Sequence, residues 1–319
     1  MNTPRLLIFS LILLVAGTLL PAPLLSQEDE QQEEASPSVK IENSRTGATL
    51  ELAELITALS SSDVVFLGEN HDNDSGHQFQ MQVIEGLVDA GHAVAISMEQ
   101  FERDVQGVLN DYLNGRVTEE EFLEASRPWG NYQKHYRPII EFAKEKRIHT
   151  IAANIPRRMA ARVSQGASPA VEDQVFLPRQ QFTDKDAYWD RFEQSMVGHG
   201  GTDMESMMEL YFESQCLKDD AMAESISDFL AANSHTKKIV VHLCGSFHSD
   251  FGLGTVSRLL RRRPLTQVSV LTMEPTENLD DKETRNALGS RSHFTFWTVE
   301  NETEEEPAED DQTSSDESS

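Results

Sequence analysis

The stretch "VVFLGENHDNDSGH", Val64 to His77, decides the fold. Four apolar residues stop at Gly68, and Glu69, Asn70 and His71 follow at once. A short run of this kind suits a strand buried on both faces, ending in a turn that opens a helix. The predicted helix carries Phe79, Val83, Ile84, Leu87 and Val88 on one face and stops at Gly91. Similar runs recur at Ala93–Met98, Ile148–Ala153, Lys238–Cys244, Val268–Met273 and Phe294–Val299. Helical patterns separate them, including "TEEEFLEAS", where Thr118 and Glu121 have capping-box spacing. The expected fold is α/β: a mainly parallel central sheet flanked by helices, with a large helical insertion over Pro156–Ser234.

In open parallel sheets, ligands bind beyond the carboxyl ends of the strands. The residues found there are Gly68, Glu69, Asn70 and His71; Glu99 and Gln100; Asn154; and Gly245, Ser246 and His248. Each has an ordinary reading. Glu69 suits a helix N-terminus, and His71, His77 and His248 suit solvated loops. Glu99, directly after an apolar run, needs a partner if it is buried. Together, Glu69, His71, Glu99 and His248 offer two chemistries: ligands to a divalent metal, or a Glu–His pair that activates water as a catalytic general base. No HExxH, GxxxxGK[ST] or GxSxG motif is present. "GLGTVS" lacks the third glycine of a dinucleotide fingerprint and reads as a helix start. "RLLRRRP" reads as a helix-end basic cluster.

The ends of the chain are distinct. Arg5, an apolar run from Leu6 to Leu20 and a Pro/Ala break give residues 1–26 the pattern of a signal peptide. After cleavage no stable membrane span is expected, so the protein is read as exported, to the periplasm, the cell envelope or the outside. Residues 27–45 form an expected acidic disordered linker, 46–299 the folded domain, and 300–319 an acidic disordered tail. With 54 acidic against 27 basic residues, the formal charge is −27, and most of the acids lie outside those ends. That balance argues against nucleic acid as a partner. Two cysteines, Cys216 and Cys244, make no disulfide framework and read as buried thiols.

Several linked motifs carry a resemblance. "VVFLGENHDNDSGHQFQMQVIEGL", "SMEQFERDVQGVLNDYLNGRVTEEEFL", "YRPIIEFAKEKRI", "AANIPRR", "QCLKDDAMAESI" and "VVHLCGSFHSDFGLG" occur in that order. Over roughly 63–299 the chain resembles the ChaN-like haem-binding uptake proteins. These group with the Tiki proteases, TraB proteins and erythromycin esterases. The resemblance implies that GExH (Gly68–His71), GxxH (Gly245–His248) and Glu99 form one polar site. It also implies that Gln215, Asp219 and Met222 lie on a helix beside that crevice. The implied cofactor is haem, stacked between two protomers of a homodimer, with a tyrosine able to ligate iron. Tyr136 and Tyr188, with His199 in "VGHGG", are the haem-binding candidates; Tyr132 and Tyr211 are further tyrosines of the same kind. The hydrolase branches of the superfamily imply the alternative use of Glu69, His71, Glu99 and His248. The lipid-attachment cysteine of some relatives is missing.

Overall fold

A computed structural model describes residues 39–196, 204–281, 283, 285 and 291–299. Eight strands form one sheet: β1 (Val39–Asn43), β2 (Ala48–Leu50), β3 (Val64–Glu69), β4 (Val94–Glu102), β5 (His149–Asn154), β6 (Ile239–Gly245), β7 (Val268–Thr276) and β8 (Phe294–Val299). Their order across the sheet is β2-β1-β8-β7-β3-β6-β4-β5. From β8 to β5 every neighbouring pair is parallel, as the continuous apolar runs require. The exception is the β1–β2 hairpin, which adds to β8 in antiparallel register. Residues 39–43 therefore belong to the sheet, which corrects their assignment to the acidic linker. A short segment with two apolar positions, Val39 and Ile41, leaves little periodicity to read. Its pairing is set by β8, from the far end of the chain.

Helices α1 (Leu52–Leu59), α2 (Asp74–Asp89), α3 (Gln106–Leu113), α4 (Glu119–Ser126) and α5 (Arg137–Lys146) accompany the first half of the chain. The largest core cluster joins them to one face of the sheet, through Phe79, Val83, Ile84 and Leu87 of α2 and Val65, Leu67, Ile96, Met98, Val241 and Leu243 of the strands. Each such side chain, fully buried, contributes about 1.5–3 kcal/mol. Asn73, not Glu69, caps α2, accepting the Gly76 amide at 2.8 Å. The capping box at Thr118 and Glu121 opens α4 as expected.

The opposite face is covered by the insertion. It comprises α6 (Arg157–Ser164), α7 (Ala187–Met196) and α8 (Met204–Ala232), and is followed after β6 by α9 (Gly254–Arg262). Ala223 and Ile226 of α8 and Val256 and Leu259 of α9 pack on Val64, Phe66, Ala95 and Val240. The basic cluster of α9 holds the chain ahead of α7. Arg258 donates to the Phe182 carbonyl (2.8 Å), Arg262 to the Gln180 carbonyl (2.6 Å), and Arg261 pairs with Asp184 (2.6 Å). Cys216 and Cys244 are buried free thiols. No described helix is long and apolar enough to cross a membrane.

Candidate functional site

The four motif-bearing strands lie side by side in the order β3-β6-β4-β5, so their carboxyl ends open on one crevice of about 310 Å³. His71, Glu99, Asn154, Gln215, Gly245 and His248 all line it. The register of β4 against β5 shifts between Met98 and Glu102, and Glu99 sits in that irregular stretch. Such an irregularity re-aims side chains at a sheet's edge. Close approach also shapes the floor. A Cβ at Gly245 would stand 3.0 Å from His71 Nε2, and one at Gly68 would stand 2.7 Å from Ser249 Oγ. Both glycines are there for want of space.

Two histidine–carboxylate units occupy the crevice, and they differ. In the first, His71 Nδ1 donates to Glu69 Oε1 at 2.8 Å. The buried Glu69 carboxylate also accepts from Tyr136 Oη (2.6 Å), Gln100 Nε2 (3.0 Å) and Gln80 Nε2 (2.6 Å). Burial alone would raise its pKa, but His71, the neighbouring His77 and these donors outweigh that and hold it below the ordinary carboxylate value. The bond to Glu69 in turn raises His71, against the effect of its partial burial. The His71 side chain is 44 % exposed, and its Nε2 faces the crevice.

The environment of His71 is braced from behind. A π-helical turn at Tyr132–Tyr136 leads into α5 and brings the Tyr136 hydroxyl onto Glu69. Irregular helical turns of this type are frequent at functional sites. Asn131 Nδ2 and His77 Nε2 both meet the His71 carbonyl, at 3.1 and 3.0 Å. His77 stacks on His135, centroids 4.0 Å apart. Trp129 meets the His71 ring edge-on at 5.0 Å.

The second unit is buried. His248 Nδ1 meets Asp219 Oδ1 at 2.8 Å and its Nε2 lies 3.4 Å from Glu99 Oε1. Asp219, on α8, also accepts from Tyr188 Oη (2.7 Å) and Thr255 Oγ1 (2.8 Å). Glu99 Oε2 accepts the Gly245 amide at 2.8 Å. Burial would lower the pKa of His248, yet Glu99 and Asp219 overcome it and push it up to about 10. Glu99, whose burial works the other way, is held at about 2 by His248 and the Gly245 amide. His248 is thus a fixed imidazolium between two carboxylates.

The sequence-predicted site residues now have places. Glu69, His71, Glu99, His248, Asn154, Gly245, Gln215 and Asp219 converge. Gly68 underlies the turn, and His77 braces the His71 backbone. Asn70 is exposed, its carbonyl accepting the Asn73 amide. Tyr136 and Tyr188 are buried donors to Glu69 and Asp219 and do not line the crevice. His199 lies outside the described residues. A divalent-metal centre is not supported: among the described residues no group of three or more His, Cys, Asp or Glu is arranged to hold a metal ion. The nitrogens of His248 already face carboxylates, and Glu69 is saturated by protein donors. Sequence reasoning missed Trp129, Lys218 and Phe247 as crevice walls and Gln80 as a Glu69 partner. Only Gln80 left a trace, being one helical turn after His77.

A structure of ChaN from Campylobacter jejuni, described as showing cofacial haem binding, superposes with a TM-score of 0.62 at 17 % identity, covering 81 % of this chain and 96 % of that one. An erythromycin esterase in its open conformation matches at 13 % identity over 77 % of this chain and 78 % of its own, with a TM-score of 0.44. The comparison with curated proteins finds no match. The family described as "Haem-binding uptake, Tiki superfamily, ChaN" matches residues 55–259, which span β3 to β6 and every residue placed in the crevice. The chain belongs to the ChaN haem-binding uptake family of the Tiki superfamily.

Proposed function

We propose that this is an exported haem-binding protein that takes part in haem or iron uptake or handling. Family membership across the whole crevice is the observation that carries this reading. The crevice fits a haem in one respect: His71 presents an uncommitted Nε2 to a space also lined by the half-buried Trp129 and Phe247. A neutral imidazole held by a carboxylate through its other nitrogen is a suitable iron ligand. Its Glu69 partner fixes the tautomer that leaves Nε2 free. Bound haem would supply an iron centre and an apolar macrocycle for storage or transfer. The leader pattern at residues 1–26 supports export. The cofacial haems of the Campylobacter protein support a homodimer that encloses the ligand. Hemin titration tests the reading. A saturable Soret band is expected, with a stoichiometry that follows dimerisation and a loss in His71→Ala. No saturable band in the wild-type protein would overturn it.

One observation favours a second reading, hydrolysis. The Glu69–His71 pair, with Nε2 open to the crevice, has the arrangement of a general base that takes a proton from water. Because His71 is raised, such activity would climb with pH as the imidazole loses its proton. A panel of esters and peptides checks this: any hydrolysis should vanish in Glu69→Gln and His71→Ala, and turnover kept by both variants would rule the pair out.

A further inference from the structure

Most arginines of this acidic chain are paired, and two cations at the crevice are not. Arg103, Arg127, Arg137, Arg158, Arg179, Arg191, Arg258, Arg261 and Arg262 all lie within ion-pair distance of a carboxylate. Arg157, next to Arg158 in sequence, faces the crevice instead, and so does Lys218 from α8. Neither has a salt bridge or side-chain hydrogen bond among the described residues. The acids of the same wall are engaged elsewhere. Glu99 is matched by His248 and the Gly245 amide, with Lys218 adding only a longer-range attraction, and Glu102 is matched by Arg127 at 2.8 Å. The remaining polar lining also offers donors. Asn154 spends its Oδ1 on the Ile155 amide (2.8 Å), which leaves its NH₂ group to donate. In a chain of formal charge −27, two cations without a direct partner, beside an unspent amide donor, select an anion.

We propose that Arg157 and Lys218 form a carboxylate-binding subsite within the crevice, the feature that orients its ligand. This rests on the proposed haem reading for one source of that carboxylate, a propionate arm of the porphyrin. A small organic acid is the other source. A space of about 310 Å³ has room for a carboxylate-bearing arm. The planar Arg157 fork supplies two parallel donors and Lys218 a point charge.

The test compares hemin with its dimethyl ester, in which both propionates are neutral, by Soret titration of the full-length protein. Esterification should weaken binding to the wild type about tenfold or more, the effect of one charge-assisted contact. Arg157→Gln and Lys218→Gln should weaken hemin similarly and leave the ester unchanged. Equal binding of hemin and ester by the wild type, or equal losses for both in the variants, would overturn the subsite. If neither tetrapyrrole binds, the haem reading fails and succinate decides the subsite. A rise in melting temperature with succinate, absent in Arg157→Gln, then supports it, and no rise overturns it.

Discussion

The two histidine–carboxylate units stand beside each other at the same sheet end, yet only one is available for chemistry. His71 has one carboxylate partner, a raised but titratable ring, and 44 % of its side chain exposed. His248 has two carboxylate partners and only 7 % of its side chain exposed. Burial is what separates them. A buried imidazolium between Glu99 and Asp219 is a tie from β6 to β4 and α8, and its proton is not released near neutral pH. A half-exposed imidazole on a single buried carboxylate has the chemistry for a ligand or a base, as proposed above. Motif symmetry between GExH and GxxH hides this division.

Truncating the tie should have the largest effect. His248→Gln removes the counter-charge that two buried carboxylates share and is expected to cost about 3–5 kcal/mol in chemical denaturation. A loss below about 1 kcal/mol would mean that water or rearrangement replaces it. Next comes Tyr136→Phe, which removes one of the donors to the ionised Glu69. A loss of about 1.5–3 kcal/mol is expected, with the acid limb of the stability curve moving to higher pH as Glu69 becomes easier to protonate.

The pH dependence of stability separates the units further. His248 rises from 6.5 to about 10 on folding, so its contribution is complete below 6.5 and fades as pH climbs towards 10. Glu99 falls from 4.5 to about 2, so its contribution is complete above 4.5 and fades as pH drops towards 2. The tie is strongest between these limits, from 4.5 to 6.5. Melting temperatures of wild type and His248→Gln should diverge most there, and a constant gap from that window up to about pH 10 would contradict the assignment. His71→Ala removes another partner of the buried Glu69 and should cost about as much as Tyr136→Phe, about 1.5–3 kcal/mol. The His71 change should also abolish the Soret shift. In the wild type, hemin affinity should increase as pH rises through the raised value of His71, since only the neutral ring ligates iron. Affinity that is flat with pH would point to another ligand.

Much of this was legible in the sequence, because burial on both faces of a parallel strand leaves continuous apolar runs. The six runs from Val64 to Val299 all became strands, and the residues after four of them meet. The β1–β2 hairpin escaped because its register depends on β8. The partners of each histidine escaped for a similar reason. Tyr136 and Tyr188 looked like equivalent haem candidates until the π-helical turn placed one hydroxyl on Glu69 and α7 placed the other on Asp219.

By itself, then, the chain's order of residues determined an α/β sheet with Glu69, His71, Glu99 and His248 at neighbouring strand ends, since strand length, apolar periodicity and the glycine stops are local properties. Which histidine is locked, which is open, and which cations lack a partner were decided only by tertiary structure. Those outcomes depend on desolvation and on contacts between residues far apart in the chain. Asp219 reaches His248 across 29 positions, and Glu99 reaches the Gly245 amide across 146.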